Sequence, residues 1–190
     1  MAQVLKEEVR NRILKAAEKV FYEKDYRSAK LTEIASEANI PVALIYTYFK
    51  NKEVLFDAVV GCIYLNFESA FDEEESLEAG SASERFEIAG AKYIDELLKD
   101  RKKLIILMDK SYGTKHMDAK QKLIYQMQVH IEEGINRQSE EKYDPMLAHI
   151  LANNFTEGLL EIARHYQNEE WAKEMLKLIA RCYYKGVESL

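Results

Sequence analysis

The sequence predicts an all-α protein: a three-helix N-terminal helix-turn-helix head followed by a six-helix regulatory and dimerisation bundle. Three observations carry that prediction. The 190 residues contain only 7 Gly and 2 Pro, while 47% are hydrophobic and 32% charged, a composition that favours helix and leaves few breakers. Apolar residues recur at spacings of three and four almost throughout, and strand-like alternation is absent. Cap and turn residues then punctuate that periodicity at regular intervals.

The elements follow in order. Val9, Ile13, Ala16, Ala17, Val20 and Phe21 give the first helix one apolar face, which stops near Lys24-Asp25. A short helix is expected over about Leu31 to Glu37, with Ile34, Ala35 and Ala38 inward. Asn39 stands where a turn needs a left-handed residue, which Asn tolerates best after Gly. Pro41 stops the preceding helix, extends Ile40 and suits the start of a third helix, about Val42 to Phe49. Asn51 is a good N-cap for a long fourth helix from Lys52-Glu53 to Phe71 or slightly beyond, carrying Leu55, Phe56, Val59, Val60, Ile63, Phe67 and Phe71. Ala79-Gly80-Ser81-Ala82 reads as a linker, and Ser81 with Glu84 has capping-box spacing into a helix ending near Lys99. Further helices are expected around Leu104 to Met108 and over Met117 to Gln138. Asp144-Pro145 opens another to about Gln167, and Asn168 caps a last one from Glu169 to Val187. The domain division expected from this reading is 1–51 for the head and 52–190 for the body.

Composition also bounds function. No apolar run is long enough to span a bilayer, and the start MAQVLKEEVR has no apolar signal core, so a cytoplasmic location is expected. Cys62 and Cys182 match no metal or redox spacing and lie among apolar residues, which points to buried, reduced thiols. Net charge is -6, but residues 1–55 hold 10 Lys+Arg against 8 Asp+Glu, and the remainder 17 against 25. That asymmetry suits a phosphate-facing end and an acidic body. No Gly-rich phosphate loop, no nucleophile set and no zinc-type spacing appears, so no enzyme, cofactor or metal is expected. Glu157, Glu161 and His165 are successive i+4 neighbours, read here as a solvated face rather than a metal site.

Two short helices joined by a tight turn and braced by a first helix can present a helix to the major groove. Around them stand Ile13-Leu14, Ala16-Ala17, Phe21, Tyr26, Ile34-Ala35, Glu37-Ala38, Ile45-Tyr46, Tyr48-Phe49, Lys52-Glu53 and Leu55. Over about residues 9 to 57 this arrangement resembles the DNA-binding domain of the TetR family of transcriptional repressors. The resemblance implies that Tyr46 and Lys52 hold phosphates, with Lys30 and Thr32 near the backbone at the second helix and Tyr48 and Lys50 flanking the motif. Asp25 and Asn39 stand where the family usually has Gly, and Ala29-Lys30 replaces a common Thr pair. The groove-facing start, Pro41-Val42-Ala43-Leu44, is almost without polar groups. Val42 and Ala43 can touch thymine methyls but form no bidentate base bonds, leaving Thr47 as the base-edge candidate. Phosphate contacts and DNA shape are therefore expected to carry much of the recognition.

The resemblance further implies a homodimer on double-stranded operator DNA, acting as a repressor released by an unidentified small-molecule effector bound in the body. Aromatic and polar residues suited to such a pocket are Tyr64, Phe67, Phe86, Tyr93, Met108, Tyr112, Tyr125 and Asn154, all of which equally suit a plain core. The last two helices are expected to form the dimer face through Leu147, Ile150, Leu151, Phe155, Gly158, Ile162, Trp171, Met175, Leu178, Ile179 and Cys182, with Gly158 allowing close helix approach.

Overall fold

The computed structural model describes residues 2–77, 82–85, 88, 91–138 and 142–189. The regular secondary structure of these residues is helical, with no strand among them. In chain order they form α1 (Ala2–Glu23), α2 (Leu31–Glu37), α3 (Val42–Tyr48), α4 (Lys52–Glu75), α5 (Ala82–Arg85), α6 (Ala91–Lys99), α7 (Arg101–Asp109), α8 (Ala119–Gln138), α9 (Pro145–Arg164) and α10 (Glu169–Glu188). Of the single helix expected to end at Lys99, the described residues Ala82–Arg85 and Ala91–Lys99 are helical. Ser81, the proposed cap ahead of it, lies outside the described residues.

The caps explain several boundaries. Asn51 Oδ1 accepts the Val54 N–H at 2.8 Å, opening α4. Asp144 Oδ1 accepts the Met146 N–H at 2.8 Å, with Pro145 at the first helical position of α9. Asn168 Oδ1 accepts the Trp171 N–H at 2.9 Å, opening α10. Each cap satisfies one of the orphan donors that every helix start leaves. Among the described residues, no helix is long and apolar enough to cross a membrane.

The chain packs as two compact units: residues 1–64 with 102–117, and residues 65–101 with 118–190. The expected cut at residue 51 is therefore replaced by a discontinuous division. Its physical reason is core size. Three short helices bury too little apolar surface alone. In the first unit Ile13, Ala17, Phe21, Ile34, Ala35 and Ile45 are joined in burial by Leu55, Phe56, Val59, Val60 and Ile63 of α4. Phe56 meets the rings of Phe21 at 5.1 Å and Tyr26 at 5.2 Å, both edge to face, the geometry that aromatic quadrupoles favour. Five consecutive residues of α7, Leu104 to Met108, are buried.

In the second unit Ile124, Ile131 and Ile135 of α8 cluster with Ala148 and Ala152 of α9. Phe155 and Tyr183 join α9 to α10 at 4.9 Å between ring centroids. The two cysteines correct an expectation: Cys62 and Cys182 are exposed rather than buried. Apolar neighbours in sequence did not place them inside, because successive helical residues point about 100° apart.

Candidate nucleic-acid interface

The local geometry of the helix pair begins at its turn. Asn39 has φ +51°, the left-handed conformation its position demanded. This turns the chain after α2, where the Ile40 N–H reaches Ala35 O and the Asn39 N–H reaches Ser36 O, both at 3.0 Å. Pro41 then precedes α3 in extended conformation. Ile34, Ala35, Ala38, Ile45 and Phe49 are buried and fix the pair to the core. The opposite side of α3 is left to solvent.

That outer side carries Ala43, Tyr46 and Thr47, all exposed, and Lys50 beyond the helix end continues it. Their i, i+3, i+4, i+7 spacing makes one stripe. Tyr46 is 56% exposed, so it is a surface aromatic rather than core. Lys30 and Thr32, at the start of α2, are exposed as well. Val42 and Tyr48 are half-buried flanks of the stripe. On α2 the two acids are held back by α1: Lys19 Nζ contacts Glu37 at 2.8 Å and Lys24 Nζ contacts Glu33 at 2.6 Å. The hydrogen bond from Lys24 and that from the Lys30 N–H hold the Glu33 carboxyl below its usual pKa.

Lys52, expected to hold a phosphate, has hydrogen-bond partners within the head. Its ammonium donates to Tyr26 O at 2.7 Å, Ala29 O at 3.0 Å and Arg27 O at 3.5 Å, and lies 4.4 Å from the Tyr26 ring centroid. Burial pulls its pKa below the ordinary lysine value, and the Asp25 carboxylate partly opposes this. The three donors of the ammonium are committed inside the head. Asp25, at φ +131°, shapes the turn that supplies those carbonyls. Its carboxylate accepts the Ser28 N–H at 2.7 Å, and that bond drives its pKa down.

A residue that the pattern reading missed is Arg10 of α1. Its guanidinium carbon lies 5.6 Å from the Phe49 ring centroid, beside the end of α3. Only its position one turn before Ile13 on α1 hinted at this neighbourhood.

A second cluster brings residues 110–116 onto the same unit. The Tyr26 N–H donates to Lys110 O at 3.0 Å. The Arg27 guanidinium stacks 4.6 Å over the Tyr112 ring. Asp57 of α4 holds Lys115 Nζ at 2.5 Å and His116 Nε2 at 2.6 Å. Burial pushes the Asp57 carboxyl up, but the hydrogen bonds from Lys115 and His116 outweigh it and leave the pKa below the ordinary value.

The expected effector residues are not gathered among the described residues. Phe86 lies outside them, as do the side chains of Tyr64 and Phe67. The Tyr93 hydroxyl donates to Glu73 at 2.5 Å. Met108 is buried, and Tyr112 lies 64% exposed under Arg27; both belong to the unit that carries the head. Tyr125 is 66% exposed and Asn154 is exposed. An open cleft of about 260 Å³ between the end of α8 and the start of α9 is lined instead by Glu132, Ile135, Asn136, Lys142, Tyr143, Asp144, Pro145, Leu147 and Ala148.

The expected dimer residues divide by exposure. Ile150, Leu178 and Cys182 are exposed, while Leu147, Leu151, Trp171, Met175 and Ile179 are half-buried. Phe155 and Ile162 are 4% and 3% exposed, so they are core of this chain and leave the candidate face. A Cβ on Gly158 would lie 3.4 Å from Ile179, an ordinary van der Waals contact, so the packing of α9 on α10 within the chain does not require glycine there. Glu157 pairs with Lys120 and with Arg164 at 3.0 Å, and Glu161 with Arg164 and His165. These ion pairs account for the acidic spacing, and the described residues contain no metal-binding cluster.

Comparison with known proteins places this geometry. Residues 13–59 match the bacterial regulatory proteins of the tetR family. A curated relative, the uncharacterised HTH-type transcriptional regulator YhgD of Bacillus subtilis, is 38% identical over 61 residues, 32% of this chain and 32% of that protein. The match thus spans about a third of that relative's length. Among solved structures, a TetR-like transcriptional regulator from Rhodococcus sp. RHA1 superposes with a TM-score of 0.64 at 19% identity, covering 94% of this chain and 96% of that one. NalD, the secondary repressor of the MexAB-OprM multidrug efflux pump in Pseudomonas aeruginosa, superposes with a TM-score of 0.60 at 22% identity, covering 93% and 95%. These proteins are regulators, not enzymes, and the two structures share the fold along nearly the whole chain.

Proposed function

We propose, from the match of residues 13–59 to the tetR family of bacterial regulatory proteins, that this chain is a dimeric transcriptional repressor that binds operator DNA and is released by a small-molecule effector. The observation that carries the DNA-binding part is the stripe Ala43, Tyr46, Thr47 and Lys50, exposed on the outer side of a helix-turn-helix within the matched residues. Lys30 and Lys50 supply phosphate neutralisation, the Tyr46 and Thr47 hydroxyls supply directed bonds, and Ala43 with Val42 supplies contact to thymine methyls. Arg10 adds a cation at the edge of the same surface. Such a protein acts in the cytoplasm, where its DNA is.

The dimer reading rests on the exposed apolar residues Ile150 and Leu178, 48% and 37% exposed on α9 and α10. A two-fold pair of heads must meet half-sites ~34–36 Å apart, or a multiple of that. An effector that favours another spacing lowers DNA affinity by linkage. The effector reading is supported by Thr156 of α9, a buried hydroxyl with no partner among the described residues; a polar atom entering the interior would find a bond there.

The experiment is binding of the full chain to a duplex from the DNA upstream of its own gene, across a salt series. The expected result is binding that weakens linearly in log–log form as salt rises, with Lys50→Ala reducing the slope by about 0.9 per head, about 1.8 for the bound dimer. Absence of binding even at low salt overturns the reading.

A further inference from the structure

The turn between α1 and α2 presents three carbonyl oxygens, of Tyr26, Arg27 and Ala29, to one point. Converging carbonyls repel one another unless a cation or donor lies between them. Here the turn also contains Asp25 at φ +131°, a conformation that L side chains rarely adopt and that the surroundings must enforce. The Lys52 ammonium occupies the point of convergence. It comes from the first residue of α4, 23 to 26 positions later in sequence, and so ties α4 to the turn that leads into α2. The Tyr26 ring lies at 4.4 Å from the same nitrogen and packs edge to face on Phe56 of α4.

We infer that Lys52 is a positioning residue for DNA recognition: its ammonium fills a cage of carbonyl oxygens and fixes the α2–α3 pair relative to α4, rather than neutralising a phosphate. This inference rests on the DNA-binding reading above. An ammonium whose three N–H bonds are taken has none left for a phosphate oxygen. Turning it outward would strip three carbonyls of their partner, and an unpaired, part-buried carbonyl is costly. The exposed cations Lys30 and Lys50 carry the phosphate contacts instead. Shape decides which cation suits the cage: a compact ammonium can aim three bonds at converging acceptors, whereas a planar guanidinium cannot.

The test uses the full chain, the same upstream duplex and three variants. Lys52→Met keeps the aliphatic stem and removes the charge. It is expected to weaken binding by about tenfold or more while leaving the slope of affinity against salt at the wild-type value, because no phosphate contact is lost. Lys50→Met, as control, lowers that slope by about 0.9 per head, about 1.8 for the bound dimer. Amide hydrogen exchange at Tyr26 and Ala29, whose N–H groups hold the turn, speeds up in Lys52→Met and not in Lys50→Met. Lys52→Arg preserves the charge and is expected to restore neither affinity nor protection. A Lys52→Met chain whose head does not fold also sides with the cage, since a solvent-facing phosphate ligand has no such effect. The inference is overturned if Lys52→Met lowers the salt slope by about 0.9 per head with turn protection unchanged, or if Lys52→Arg binds like wild type. Failure of the wild-type chain to bind any duplex overturns the DNA-binding reading instead, and the exchange arm then still decides whether the cage holds the turn.

Discussion

Replacing Asp57 by Asn removes a charge from the contact between α4 and residues 115–116 while keeping the side chain's size. The two bonds it weakens differ in environment. The Lys115 side chain is 60% exposed, so its 2.5 Å contact is screened and worth about 0–1 kcal/mol. The His116 side chain is only 12% exposed at 2.6 Å, where a charge-assisted hydrogen bond contributes about 1.5–3 kcal/mol. Asn retains an acceptor for one of the two, so a net loss of about 1–2 kcal/mol in the stability of this unit is expected. The pH dependence follows from Asp57 having a folded pKa below its unfolded value. Its contribution is full above the unfolded carboxyl pKa of about 3.9, and it is lost as pH falls through the folded value. The gap between wild type and Asp57→Asn is therefore open at neutral pH and closes in acid. Denaturant-dependent amide exchange over residues 52–60 reads this unit directly. Fluorescence of Trp171, which belongs to the other unit, serves as the internal control and should move little. Equal exchange in both chains at neutral pH, or a gap that persists unchanged through strong acid, refutes the reasoning.

Two further expectations follow from the backbone and the exposed helices. Asn39→Ala places an ordinary side chain at φ +51° and should destabilise the helix-turn-helix by about 1 kcal/mol, whereas Asn39→Gly should hold or slightly raise stability; thermal denaturation of the two variants checks the order. Ile150→Glu combined with Leu178→Glu charges exposed positions of α9 and α10 without touching buried core, so sedimentation should shift toward the monomer while helical content stays that of the wild type.

Features decided by neighbouring residues were legible in the sequence. Asn51, Asp144 and Asn168 cap the helices they precede because a cap depends only on a side chain two or three positions from the amide it satisfies. The left-handed turn at Asn39 and the inward faces of α1, α2 and α4 follow from equally local rules. What the sequence hid depends on distant pairings. His116 and Asp57 are 59 positions apart, and nothing in either neighbourhood announces the other. The Lys52 ammonium meets backbone carbonyls, which carry no residue signature at all. Phe155 and Ile162 look like interface residues by composition, but their angular position on α9 turns them inward, while Ile150 on the same helix turns out. Apolarity marks which residues seek burial; it does not say whether the chain or a partner provides it.

The composition of the reading stripe sets what the rest of the molecule has to supply. Ala43 has no polar side-chain atom, and Tyr46 and Thr47 each offer a single hydroxyl, so α3 lacks the Arg, Asn or Gln forks that discriminate a base pair by about 1–3 kcal/mol each. Under the proposed function, one head alone would separate operator from other DNA mainly through phosphate register and groove shape, terms that vary gently with sequence. Discrimination would then have to come from geometry multiplied over the two heads of the proposed dimer: each rigid, and their separation matched to the half-sites. Rigidity resides in the Lys52 cage, the Phe21–Tyr26–Phe56 ring cluster and the Asp57 contacts to residues 115–116. Separation is set by the pairing proposed for α9 and α10. A head with rich base contacts could tolerate a loose frame, but this one cannot, and an effector that altered the frame by a small amount would find little base-specific affinity opposing it.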